Sequence, residues 1–163
     1  MSFRICMVCL GNICRSPMAA AVLRHKVAEA GLADEVVVES AGTGGWHIGD
    51  GADRRARAAL LARGYDDSHS ARKFVPEFFD DYDLVLAMDG DNLRNLRAMA
   101  PDAQTREEVR LLRSYDPTAP GGAVVEDPYY GGDAGFREVL DQIERACDGL
   151  VAELQMQLDV QKG

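Results

Sequence analysis

One stretch constrains this chain more than any other: Cys9-Leu10-Gly11-Asn12-Ile13-Cys14-Arg15-Ser16-Pro17. The apolar residues Phe3–Val8 before it read as a strand, and Met18–Leu23 after it read as a helix. A thiol therefore stands where a strand ends, followed by a short run of amides, an arginine and a helix start. Ser16 is a good N-cap residue, and Pro17 suits the first helical position, where an N–H would have no intrahelical partner. The helix start turns free amides and the positive end of its dipole back into the loop. Gly11 and Asn12 tolerate the unusual backbone angles that turn successive N–H groups inward as an anion nest. Arg15 adds a planar fork for two oxygens at once. A helix start and a nearby cation favour thiolate over thiol, and the Ser16 hydroxyl is placed to donate to it. The stretch suits a tetrahedral oxyanion held over a nucleophilic sulfur.

The chain has 163 residues, a net charge of −9, 47% hydrophobic and 28% charged residues, which fits one soluble domain spanning 1–163. That acidity speaks against nucleic acid and anionic membranes as partners. Any phosphate site is then local. The opening residues lead straight into a strand, and Ile5–Leu10 is too short for a signal-peptide core, so a cytoplasmic location is expected. The four cysteines, 6, 9, 14 and 147, are too few for a disulfide scaffold.

Strand-like and helix-like stretches alternate along the whole chain. Helix is expected over 15–30 with Gly31 as its stop, over 52–63 ending at Gly64, over 92–100 ending at Pro101, and over 135–158. Strands are expected at 35–40, 82–88 and 109–112, with a glycine-rich loop over 41–51 and a long loop over 114–133. Alternation of this kind predicts an α/β fold with a parallel sheet covered on both faces. Ligands in such folds sit outside the carboxyl ends of the strands, where the Cys9 loop lies.

The block Cys9-x5-Arg15-Ser16-Pro17, near the amino terminus, resembles the signature of the low-molecular-weight protein tyrosine phosphatases. The resemblance implies a three-layer fold with a four-stranded parallel sheet in flavodoxin-like order. It also implies hydrolysis of phosphotyrosine, and of small aryl phosphates, through a cysteinyl-phosphate intermediate. A leaving phenolate needs a proton donor. Glu126-Asp127-Pro128-Tyr129-Tyr130-Gly131 matches the family's Asp-Pro-Tyr-Tyr element and makes Asp127 the general acid and then base. Taken alone, Asp-Pro would read as a plain turn. The catalytic residues expected are thus Cys9, Arg15 and Asp127.

Substrate contacts are expected from Leu10, Gly11, Asn12, Ile13, Cys14 and Ser16, with Trp46, Tyr129 and Tyr130 as aromatic walls. Trp46 falls where the family has its variable loop. Asn12 and Ser40 resemble a pair that supports the phosphate loop, and Asp89 matches a further family position while also reading as a helix N-cap. Within the family, Ile at the position of Ile13 goes with phosphotyrosine and Thr with phosphoarginine. Cys14 resembles the neighbour that protects the nucleophile by a reversible disulfide, the alternative being a small buried apolar residue. His69 resembles a structural family histidine; none of His25, His47 and His69 reads as catalytic.

Two other chemistries compete for the same residues. A metal site would use Cys6, Cys9 and Cys14, but residues three apart on a strand face opposite ways and no fourth ligand is near. Arsenate reduction needs relay cysteines, which 86–91 lacks. A non-catalytic phosphate binder needs neither Cys9 nor Asp127. No metal or cofactor is expected. The expected partners are phosphotyrosine proteins, with no nucleic acid or membrane, and the expected working form is a monomer.

Overall fold

Strand β1 (Phe3–Cys9) runs through the middle of the molecule, its last five residues buried. In the computed structural model, which describes residues 2–129 and 131–162, with side chains through Asp159, it pairs in parallel with β2 (Val36–Gly42) and β3 (Leu84–Ala87). Strand β4 (Val109–Leu111) extends the sheet beyond β3, giving the order β2-β1-β3-β4. The fold is therefore the four-stranded parallel α/β sheet expected.

Burial on both faces explains why these strands are apolar without alternation. Ile5, Met7 and Cys9 point into a core shared with α1 (Arg15–Glu29), α2 (Arg54–Ala62) and α5 (Gly132–Lys162). Cys6 and Val8 point into the opposite core, with Phe74, Phe79, Tyr82 and Leu96 of α3 (Gly90–Met99). Cys6 and Cys9 thus lie on opposite sides of the sheet, as the strand period required.

Local signals set most of the boundaries. Helix α1 ends in a Schellman turn: Gly31, at φ +76°, donates to Ala28 O, and Leu32 donates to Val27 O. Asp53 caps α2, and Asp89 caps α3 in a reciprocal box with Asn92. A short helix not foreseen, α4 (Ala103–Glu107), starts at Asp102, whose carboxylate accepts from Thr105 N. Helix α5 begins at Gly132, three residues before the expected start. Gly149 lets α5 lie against residues 112–115, since a Cβ there would fall 1.8 Å from Tyr115 O.

The expected cap of α1 differs from the observed one. Cys14 is the N-cap, Arg15 the first helical residue and Pro17 the third, and no side chain caps the helix. Ser16 lies inside the first turn with its hydroxyl drawn into contacts beneath the loop. Its local preference for capping gives way to those partners.

The chain passes from β1 to β2 on one side and later to β3 on the other. A crevice opens between the carboxyl ends of β1 and β3, where the sheet order reverses. Cys9 ends one of these strands and Asp89 follows the other. No described helix is long and apolar enough to cross a membrane.

Candidate active site

The loop after β1 turns its carbonyls outward. Cys9 O accepts from Thr43 N, Leu10 O from Gly44 N, Asn12 O from His69 and Ile13 O from Asp53 N. The N–H groups of Gly11–Cys14 have no protein acceptor among the described residues. Outward carbonyls with inward amides make an anion nest.

Asn12 is the one described non-glycine residue at positive φ (+58°), a conformation that costs roughly 1–2 kcal/mol for an ordinary L-residue. Its fully buried side chain secures it. Nδ2 donates to Ser16 Oγ (2.8 Å) and Ser40 Oγ (3.0 Å), while Oδ1 accepts from Arg72 N at 2.9 Å. His69 Nε2 donates to Asn12 O at 2.6 Å, which places the imidazole proton on Nε2. Burial lowers the His69 pKa and keeps the ring neutral in this role. Gly42 completes the fit: a Cβ there would meet Leu10 O at 2.7 Å and Asn12 N at 3.0 Å.

Cys9 Sγ lies 3.0 Å from Ser16 Oγ. Because that hydroxyl already accepts from Asn12, its own proton is free for the sulfur. Ala41 O is the other acceptor in reach, at 3.4 Å. Cys14 is buried beside the loop, and burial together with Asp53 and Cys9 pushes its thiol up to about 12.

Arg15 is only 2% exposed, and its Nη1 is held by Asp89 Oδ2 (2.6 Å) and Val125 O (2.9 Å). Its Nη2 lies 4.0 Å from Asp127 Oδ2. The late loop is tied in by the same residue that receives Arg15, since Val125 N donates to Met88 O at 2.7 Å. Asp127 is half exposed, and its Oδ1 accepts from Tyr129 N at 3.0 Å. Arg55 steadies Tyr129, donating to its carbonyl at 2.5 Å and lying over its ring at 5.0 Å.

These groups surround a cavity of about 160 Å³ lined by Cys9, Leu10, Gly11, Ile13, Cys14, Arg15, Trp46, His47, Asp127 and Tyr129. Nine of the ten were expected from sequence. Asn12, Ser16 and Ser40 lie beneath the loop rather than on the wall, and Asp89 acts on Arg15. Trp46 stands 72% exposed at the rim. Tyr130 lies outside the described residues. A larger hollow of about 600 Å³, between Phe3, Tyr115 and α5, sits at the amino ends of the strands and holds no part of this constellation.

Sequence reasoning missed His47, which lines the cavity with Nδ1 3.2 Å from Asp50 Oδ2. It also missed Arg72, whose backbone supports Asn12 while its guanidinium is pinned by Ser40 O and Tyr82 OH. His47 adjoins Trp46 in the glycine-rich loop, and that adjacency was the available signal. Arg72 had none. Among the described residues, no three His, Cys, Asp or Glu side chains converge as a metal site.

The family model for low molecular weight phosphotyrosine protein phosphatases matches residues 4–161. A low molecular weight protein-tyrosine-phosphatase of Streptomyces coelicolor is 52% identical over 160 residues, covering 98% of each chain. The crystal structure of a protein tyrosine phosphatase from Entamoeba histolytica, with Hepes in its active site, superposes with a TM-score of 0.91 at 36% identity, covering 96% of this chain and 99% of that one. A Drosophila arginine phosphatase superposes at 0.82 with 32% identity, over 92% of this chain and 96% of its own. By its family match, its relatives and its fold, the chain belongs to the low molecular weight protein-tyrosine phosphatases.

Proposed function

We propose that this phosphatase hydrolyses phosphotyrosine in proteins, and small aryl phosphates, by two displacements at phosphorus. The thiolate of Cys9 attacks the phosphorus as the phenolate oxygen departs, and Asp127 supplies the proton that oxygen takes. The inward amides of the loop and the free edge of Arg15 bind the three equatorial oxygens, whose charge grows in the transition state. Asp127, now a carboxylate, takes a proton from water as that water attacks the phosphocysteine. Inorganic phosphate leaves, and the Ser16 hydroxyl donates to the restored thiolate. No step calls for a metal or a cofactor.

One observation carries this reading: a buried sulfur at the floor of an amide nest, with Arg15 and Asp127 converging from separate strand ends. Tyr129 and Trp46 at the rim suit the flanks of a phenyl ring. A second reading, phosphoarginine, has support in the likeness to the Drosophila arginine phosphatase. Ile13 on the cavity wall favours the phenol by the family pattern. Hydrolysis of matched phosphotyrosine and phosphoarginine peptides decides between them. Turnover of the first should resist chelators and be blocked by vanadate. A need for added metal, or a clear preference for phosphoarginine, would overturn the proposal.

The same reading gives Cys14 a protective role. A peroxide would oxidise the Cys9 thiolate to a sulfenic acid, and the Cys14 sulfur would then form a disulfide with release of water. A reducing, cytoplasmic setting suits an enzyme whose nucleophile must be a free thiol.

A further inference from the structure

Helices α2 and α5 enclose a groove of about 220 Å³, floored by alanines of α2 and walled by Arg54, Arg55, Arg63, Arg137 and Asp133. Four arginines around one groove stand out in a chain of net charge −9. Two of them are committed within the fold. Arg55 pairs with Asp53 at 3.2 Å, and Arg63 pairs with Asp141 at 2.8 Å and with Glu144. Arg54 and Arg137 are exposed and have no carboxylate within 4.0 Å among the described residues. The wall therefore presents two uncommitted cations against the single acid Asp133.

The groove adjoins the catalytic cavity through one residue. Arg55 is part of its wall and also holds Tyr129, which lines the cavity. A peptide whose phosphotyrosine enters that cavity must leave it across the rim. An extended chain advances ~3.3 Å per residue, so residues two to four away reach beyond Tyr129. The surface they meet in that direction is the arginine groove.

Resting on the phosphotyrosine reading above, we propose that Arg54 and Arg137 select substrates carrying acidic residues close to the phosphotyrosine. Without such a patch, an acidic enzyme repels an acidic phosphopeptide over its whole surface. Local cations reverse the sign where the peptide lies down. Rim charges of this kind act on encounter and binding and weaken with salt, so the effect falls on kcat/KM rather than on kcat.

The test uses the full chain and three substrates: a phosphotyrosine peptide with Asp or Glu at the neighbouring positions, its Asn/Gln counterpart, and p-nitrophenyl phosphate. At low ionic strength the acidic peptide should be preferred by about tenfold in kcat/KM, the preference shrinking as salt is added. The double variant Arg54→Glu/Arg137→Glu should abolish or invert that preference and leave p-nitrophenyl phosphate turnover within twofold. Arg54→Lys/Arg137→Lys should retain most of it. Equal use of the two peptides by the parent enzyme, or a preference unchanged by charge reversal, overturns the groove proposal and leaves phosphotyrosine hydrolysis standing. Failure to hydrolyse either peptide overturns both.

Discussion

Two of the loops around the candidate active site are made in opposite ways. The loop over 9–16 is buried except at Leu10, Gly11 and Ile13, and it is held from several sides: His69, Ser40 and Arg72 fix Asn12, while residues 43, 44 and 53 fix its carbonyls. The loop that carries Asp127 is exposed there, and its ties to the body run through Val124, which accepts from Arg113, through Val125, and through Arg55. The difference suits the work proposed for each. An oxyanion cradle gains most when its dipoles need not reorganise during reaction. A proton donor must instead meet leaving groups of different size and release product, so it gains from access.

Substitutions can break or sharpen this contrast. Apart from removal of the Cys9 sulfur itself, the largest loss is expected where the two loops meet. Arg15→Lys keeps the charge but cannot bridge Asp89, Val125 O and a phosphoryl oxygen together, so kcat/KM on an aryl phosphate should fall by about 10³. Steady-state kinetics within tenfold of the parent enzyme would remove the fork from its role. Asp127→Asn should lower kcat by about 10²–10³ for poor leaving groups and far less for p-nitrophenol. Its melting temperature should barely change, because the side chain is half exposed; a large drop would show that this loop, too, is structural.

In the rigid loop, function and stability should fall together. Asn12→Ala loses three side-chain hydrogen bonds and keeps an unfavourable φ, and is expected to cost about 3 kcal/mol or more in urea unfolding. Asn12→Gly loses the same bonds without the backbone penalty, so it should recover roughly 1 kcal/mol of that cost. If the two unfold alike, strain at this position is not what the side-chain network holds.

The smallest effect concerns His69. Its pKa is lowered in the fold, so below its ordinary value near 6.5 the unfolded chain takes up a proton that the folded chain resists. Its contribution to stability is thus complete above that value and lost as pH falls through the lowered one. The drop in stability between pH 7.5 and pH 5 should be shallower for His69→Gln than for the parent. An identical drop would mean that this imidazole does not resist its proton.

Much of this was legible because the residues concerned lie in continuous stretches. Cys9–Pro17 and Glu126–Tyr130 supply the nucleophile, the fork and the acid of the proposed mechanism, and the alternation of apolar stretches with helical periods names the parallel sheet. What was not legible depends on contacts between distant parts of the chain. Ser16 has the composition of an N-cap, yet its hydroxyl serves Asn12 and Cys9, which no local preference foretells. Arg72 supports the loop from 60 residues away through a backbone N–H, a group present at every non-proline position. Arg55 carries no motif, and its place beside Tyr129 depends on how α2 packs on α5. Trp46 follows the opposite pattern: its place in the glycine-rich loop was plain, and the structure sets it exposed on the lining of the cavity.

The central claim is that Cys9, on its preorganised loop, carries the phosphoryl group during turnover. Rapid acid quench during hydrolysis of p-nitrophenyl phosphate, followed by peptide mass spectrometry, tests it directly. The account predicts one phosphoryl group, on the Cys9 sulfur, present in the parent enzyme and missing from Cys9→Ser, which should be inactive. Phosphate on another residue, or full turnover by Cys9→Ser, would contradict it.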